Sequence, residues 1–279
     1  MESISNAEYR KKPGISASDL KKMVKSMATW KYEKDHPEDS DSEALQFGRA
    51  YHKLMLEPDD FDKEFIVSPK FDRRTKEGKE AYAKFLEQAE GKEVINEETY
   101  QKLLEMQIAL YNTPFVKLLI KGEHEKSFFW TDAESGVECK CRPDSFGKIK
   151  EQYVCVDLKT TSNAETDAFM RDSMKFGYDI QASHYCEGLQ NKYGQPFKFI
   201  FIAQEKKAPY LVNVLEADEY FIKSGAEVRK MLLEKYKECL EKDVWPGYMD
   251  EKSGINSLSV PKWIANSLDM DDESEGDFE

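Results

Sequence analysis

An α/β sandwich built around a mixed sheet is the architecture this sequence predicts, and three observations predict it. Apolar residues recur at helical spacing through roughly the first 120 residues. From Glu123 the apolar period drops to two. Strand patterns then alternate with helix patterns as far as Lys242. At 279 residues the chain can bury a full core. The expected organisation is one domain over residues 1–268. It comprises a helical N-terminal part (about 15–120), an α/β core (about 123–248) and a docked strap (about 253–268), followed by a disordered acidic tail, 269–279.

Ser16-Ala17-Ser18-Asp19 caps an amphipathic helix carrying Leu20, Met23, Val24 and Met27, expected to run to about Lys34. The polar stretch from Asp35 to Ser42 reads as a loop. A second helix, Glu43 to Leu56, stops at Glu57-Pro58. Gly48 costs that helix stability, which predicts a close packing partner or a ligand beside it. Phe61 to Pro69 reads as irregular or strand. A charged helix (Arg73 to Ala89), another from Asn96 to Leu110 and a short one to Ile120 make this part all helix.

Lys126 to Thr131 and Val137 to Asp144 read as strands joined by a turn, followed by a strand from Gln152 to Lys159. Helices are expected at Asn163–Lys175 and Ile180–Lys192. Phe197 to Ala203 and Leu211 to Leu215 are strands, and Asp218 to Lys242 is a long helix. Leu258, Val260, Pro261 and Trp263 give the strap its apolar side.

Hydrophobic residues make up 40% and charged residues 34%, the balance of a soluble globular chain. No apolar run reaches the roughly 18 residues of a membrane span, so no membrane association is expected. Residues 1–4 lack the basic-then-apolar pattern of a signal peptide, and the expected compartment is the cytoplasm. Five cysteines, an odd number, argue against disulfides. Cys139 and Cys141 have no second Cys or His pair at zinc spacing, so neither zinc nor an iron–sulfur cluster is expected. The net charge of −13 does not exclude nucleic acid, because seven of the acids lie in the last eleven residues. Basic clusters sit elsewhere, at Arg10-Lys11-Lys12, at Lys21-Lys22 with Lys25, and at Arg73, Arg74, Lys76 and Lys79.

The chemistry concentrates between Cys139 and Thr161. Along the strand after Gln152, Tyr153, Cys155, Asp157 and Lys159 share one face, while Val154, Val156 and Leu158 share the other. Asp144 ends the preceding strand. Two carboxylates and a lysine so placed suit metal-assisted phosphodiester cleavage, with Asp144, Asp157 and the Leu158 carbonyl as ligands. Lys159 then orients the attacking water or neutralises the phosphate. His52 offers an imidazole to complete the metal shell, and Glu125 is a further acid at the entry to the first strand. Gln181 and Tyr185, at i and i+4, lie on one helix face. Thr160 and Thr161 are candidate donors to phosphate.

Pro143-Asp144, Asp157-Leu158-Lys159 and Gln181-x-x-x-Tyr185, in that order, resemble the PD-(D/E)xK nuclease superfamily with its trailing Q-x-x-x-Y motif. More narrowly, A-L-Q-F-G-R-A-Y-H-K-L-M-L-E-P (44–58), C-R-P-D (141–144) and D-L-K-T-T (157–161) resemble the RecE-type, exodeoxyribonuclease VIII-like branch of phages and prophages. The resemblance runs from about Ile15 to Trp263. It implies a central sheet flanked by helices, a magnesium site (manganese being the other candidate) with His52 among its ligands, and no iron–sulfur cluster. It further implies digestion of linear duplex DNA from its ends, 5′ to 3′, leaving 3′ overhangs for a RecT-like single-strand annealing protein. A homo-oligomeric ring is the expected assembly. Two alternatives stand beside this reading: an endonuclease of restriction or junction-resolving type, and a non-catalytic DNA-end-binding module.

Overall fold

A computed structural model describes residues 2, 4–37, 42–248, 254–261 and 264–266. A short helix α1 (Asn6–Lys11) precedes α2 (Ala17–Lys25). Ser16 and Asp19 form a reciprocal capping box that starts α2, with the Ser16 N–H donating to Asp19 at 2.9 Å. The single helix expected to reach Lys34 is two. Ser26 is extended, and its hydroxyl accepts from the Thr29 N–H at 3.1 Å, which starts α3 (Met27–Asp35) afresh. The Trp30 indole N–H donates to Asp19 at 2.9 Å and ties α3 back to α2.

Next come α4 (Glu43–Leu56), a one-turn α5 (Phe61–Glu64), β1 (Phe65–Ser68), α6 (Lys76–Gln88), β2 (Glu93–Asn96), α7 (Glu97–Asn112) and a one-turn α8 (Val116–Leu119). The expectation of an all-helical N-terminal part fails here, because β1 and β2 pair in parallel from Phe65↔Glu93 to Ser68↔Asn96. Four residues carry too little period-two signal to stand out from their helical surroundings. Gly48 has open space around it rather than the close partner expected of it.

Five strands form the central sheet in the order β3 (Glu123–His124), β6 (Ser145–Ile149), β7 (Gln152–Thr161), β8 (Phe197–Glu205) and β9 (Val212–Ala217). Only β7 and β8 run parallel. Their crossover contains α9 (Thr166–Phe176) and α10 (Tyr178–Tyr193), and β9 leads into α11 (Glu219–Lys242). β4 (Phe128–Thr131) and β5 (Glu138–Cys141) form a separate hairpin sheet. The strand expected over Val137–Asp144 therefore ends at Cys141. Asp144 instead directly precedes β6, a stretch where the sequence predicts no strand. Gly122 permits this: a Cβ there would lie 2.1 Å from the Phe146 carbonyl oxygen, so β6 packs directly on backbone.

Each face of the sheet carries its own core. Cys155, Phe199 and Phe201 pack against Leu20, Trp30, Ile180 and Leu232 on one side. Val154, Val156, Leu158 and Ile202 pack against Tyr51, Leu54, Leu103 and Met106 on the other. The alternation along β7 matches the expected faces. A fully buried leucine such as Leu158 contributes about 2 kcal/mol by removal from water. Gly225 of α11 sits against the Asp179 carbonyl of α10, where a Cβ would come within 2.0 Å of the oxygen, so the two helices cross backbone to backbone.

Leu258 is fully exposed and Val260 is 53% exposed, contrary to the docking expected of them. Trp263 and the tail 269–279 lie outside the described residues. Among the described residues no helix is long and apolar enough to cross a membrane.

Candidate active site

The site forms where the central sheet loses a strand. β6 starts at Ser145, opposite Val156 of β7. Beyond that pair β7 runs on through Thr161, held by β8 on one side and by no strand on the other among the described residues. An amide left open on that edge needs a partner. Asp144 provides it: its Oδ2 accepts from the Leu158 N–H at 2.7 Å. The N–H and carbonyl of one strand residue leave the strand on the same side, so the Leu158 carbonyl faces this edge too.

Two more groups converge on Asp144. His52 arrives on α4, which is anchored from below by the Tyr51 hydroxyl donating to Gln204 of β8 at 2.8 Å. The His52 Nδ1 stands 3.3 Å from Asp144 Oδ1. Glu125 follows β3 in a left-handed conformation (φ 50°), and its N–H donates to the Asp144 carbonyl at 3.3 Å. Arg142 holds the Glu125 carboxylate at 2.6 Å and is itself fixed by donating to the Ile4 carbonyl. Ligand atoms of His52, Glu125 and Asp144 all lie within 4.8 Å of one another. One imidazole and two carboxylates at that separation, beside an inward-facing carbonyl, fit a divalent cation.

Protonation behaviour reflects the same crowding. Burial would lower the His52 imidazole, but the Asp144 carboxylate outweighs it and raises His52 to about 9. Burial and the Asp144 charge together lift Glu125 to about 7, against the pull of Arg142. Asp144 is held below its ordinary value despite burial, because His52, Lys159 and the Leu158 N–H all favour its charged form.

Asp157 and Lys159 stand on the next two inward positions of β7. Asp157 is 1% exposed, and both of its oxygens are engaged: Oδ2 pairs with Lys159 and Oδ1 accepts from the Gln181 amide at 2.5 Å. Asp157 therefore lies beside the converging triad rather than in it. The Lys159 ammonium rests 5.0 Å over the Tyr178 ring. Burial opposes its charge, yet Asp157 and Asp144 raise it above its ordinary value. Tyr185 packs against Phe199, and burial pushes its hydroxyl well up.

The triad holds one surprise, and the surroundings another. Little in the sequence marks Glu125, because acids are common at strand edges and no local pattern announces a left-handed glutamate. Lys21 stands out in the sequence only as part of a basic cluster, and its place beside the site comes from the fold. Its Nζ donates to Gln181 Oε1 at 2.9 Å, and it lies 5.4 Å over Tyr178. An ammonium only donates, so this bond forces the Gln181 oxygen toward Lys21 and the amide N–H toward Asp157. Burial and the neighbouring Lys159 lower Lys21 to about 8, with Asp157 opposing. Its visible signal is a basic cluster on the capped helix that begins after Ser16.

The remaining expected residues fare differently. The Thr161 hydroxyl closes its own turn with Asn163, donating to the carbonyl at 3.1 Å, so it is not free for phosphate. Thr160 is half-buried on the opposite face of β7. Arg73 stacks 4.9 Å over Tyr82, Arg74 and Lys79 occupy the start of α6 or the loop before it, and Lys76 pairs with Glu80 at 3.9 Å. None of the four contacts the triad. Cys139, Cys141, Cys155, Cys186 and Cys239 are buried in the core, and none forms a disulfide among the described residues.

No curated protein matches the chain. Among solved structures, one from Eubacterium rectale described as a "Putative exonuclease" superimposes with a TM-score of 0.62 at 16% identity, over 96% of this chain and 98% of that one. At that identity the likeness shows the fold. A second, SSO0001, reaches a TM-score of only 0.36 at 14% identity, over 80% and 77% of the two chains, and carries no argument. A family model, described as a PDDEXK-like domain of unknown function (DUF3799), matches residues 16–255. Those limits enclose the triad, Asp157, Lys159, Gln181 and Lys21, so the open edge of β7 lies inside the shared fold. The chain belongs to this family of PDDEXK-like domains.

Proposed function

We propose that the chain is a metal-dependent exodeoxyribonuclease acting on linear duplex DNA. The observation that carries this reading is the convergence of His52, Glu125 and Asp144 at the open edge of β7, with Lys159 beside them. In this reading those three side chains and the Leu158 carbonyl would hold Mg2+ or Mn2+, with Asp157 beside them as a further ligand. Bound there, a divalent cation polarises a phosphoryl oxygen and lowers the pKa of its water.

The chain's own groups do the rest. Lys159 places a fixed positive charge beside the scissile phosphate, where negative charge grows as the water oxygen bonds to phosphorus and the ester oxygen leaves. Tyr178 beneath the ammonium limits where it can swing. Gln181, oriented by Lys21, holds Asp157 in register, and burial keeps water other than the nucleophile away from these contacts.

The 5′ to 3′ polarity, the 3′ overhang, the annealing-protein partner and the ring assembly belong to the same proposal and rest on the RecE-type resemblance of residues 44–58, 141–144 and 157–161. End-labelled linear duplex and covalently closed circular DNA, each incubated with Mg2+, test the central claim. Loss of the linear DNA alone is the expected result. Cutting of the closed circle would replace it with an endonuclease, and binding of ends without cutting would leave a recognition module.

A further inference from the structure

Away from the open edge of β7, a groove of about 610 Å³ runs between the segment before α2, α3, the β4–β5 turn and the end of α11. Its floor is aromatic. Trp30 and Tyr236 meet edge-on at 5.3 Å, and Trp245 closes the triangle at 5.6 Å from Trp30 and 6.2 Å from Tyr236. Its rim is basic, with Arg10, Lys11, Lys12, Lys31, Lys34 and Lys237 against only Asp35 and Glu138. Lys31 is spent on Asp35, Lys34 on Asp19 and Lys12 on Glu2. Arg10, Lys11 and Lys237 make no ion pair among the described residues. A protein of net charge −13 thus concentrates uncompensated positive charge around an apolar floor.

The same sequence contains the complement. Residues 269–279, D-M-D-D-E-S-E-G-D-F-E, hold seven acids, no base, and the apolar side chains Met270 and Phe278. The chain also leaves α11 at the groove itself. Trp245 is part of the floor, the Pro246 carbonyl accepts from the Ala28 N–H of α3 at 3.1 Å, and Asn256 donates back to the Tyr248 carbonyl. The 24 residues from Trp245 to Asp269 reach at most about 80 Å, ample for a return.

We propose that this groove is a docking site for acidic, aromatic-bearing peptide and that its occupant is residues 269–279 of the same chain. Carboxylates meet Arg10, Lys11 and Lys237, and Phe278 rests on the Trp30–Tyr236–Trp245 floor. An attraction of this kind is intramolecular, and salt screens it.

Zero-length carbodiimide cross-linking of the full chain, mapped by mass spectrometry, tests the proposal. Links from residues 269–279 should concentrate on Lys11, Lys12, Lys34 and Lys237, and about 1 M salt, with its ~3 Å screening length, should abolish them. Replacing the exposed pair Lys11→Glu and Lys237→Glu should cut the links to Lys12 and Lys34 about tenfold, a change of ~1.4 kcal/mol. Links spread over distant lysines such as Lys102 and Lys206 would overturn the docking site. Links joining isotopically heavy to light chains in a mixture would overturn the same-chain occupant.

Discussion

The two halves of β7 are built from one continuous strand and do opposite work. From Gln152 to Val156 it is flanked by β6 and β8, and its side chains disappear into the two cores. From Asp157 to Thr161 only β8 remains, and the freed edge is filled by Asp144, His52 and Glu125. The backbone conformation is the same in both halves. What differs is the partner, and one missing strand converts a core element into a place where amides, carboxylates and a lysine must satisfy one another. A sheet interior resists charge; a sheet edge enclosed by helices concentrates it.

The sharpest way to break this comparison is to neutralise the open half. Asp144→Asn or Lys159→Met should reduce cleavage of linear duplex by about 10³-fold or more, on the scale of losing a preorganised charge at a reacting centre. The thermal midpoint should fall as well, because each substitution leaves a buried partner, His52 or Asp157, uncompensated, so activity is compared well below it. Full activity in either variant would show that the open edge is not the catalytic one. Substituting the core-facing side chain of the open half reverses the pattern. Leu158→Ala, at a fully buried position, should cost about 2–5 kcal/mol in denaturant titration while the folded fraction keeps the side-chain chemistry of the site.

Lys21→Met tests the orientation of Gln181. We expect about a tenfold to hundredfold fall in kcat with KM nearly unchanged, since Lys21 touches Gln181 and not the triad. Recovery with Lys21→Arg, which also only donates, would separate orientation from packing. The smallest effect concerns pH and the closed region. His184 is fully buried beside the Lys140 carbonyl, and burial lowers it to about 4. Its folded value lies below its ordinary 6.5, so its contribution is present above that pH and is lost as pH falls toward 4. Stability should drop by up to about 3 kcal/mol across that window, and His184→Asn should flatten the acid limb of a midpoint-against-pH curve.

Sequence patterns made Asp144, Asp157, Lys159 and His52 legible because each sits in a motif with a fixed spacing to its element. The strands around Asp157 were legible for a related reason: long runs of Val, Phe and Ile repeat with period two. The strand Ser145–Ile149 was not, since Gly147, Lys148 and the following Lys150 mimic a turn and only the approach of Gly122 makes it pack. Glu125 depends on a left-handed backbone and an arginine seventeen residues later, and Lys21 on a contact spanning 160 residues. Neither leaves a local trace. The break at Ser26 is a single hydroxyl choosing to cap rather than continue, which the apolar spacing on both sides conceals.

The crossing of α10 and α11 at Gly225 gives the molecule a remote point of failure. Asp179, whose carbonyl Gly225 abuts, lies two positions before Gln181, less than one helical turn from the amide that steadies Asp157. Even a methyl group at 225 must lever α10 outward, and the displacement arrives at Asp157 with little helix to absorb it. In a saturation screen, position 225 should therefore look like part of the reactive centre although it contributes no chemistry. Its intolerance would measure how stiffly the scaffold transmits shape to the site.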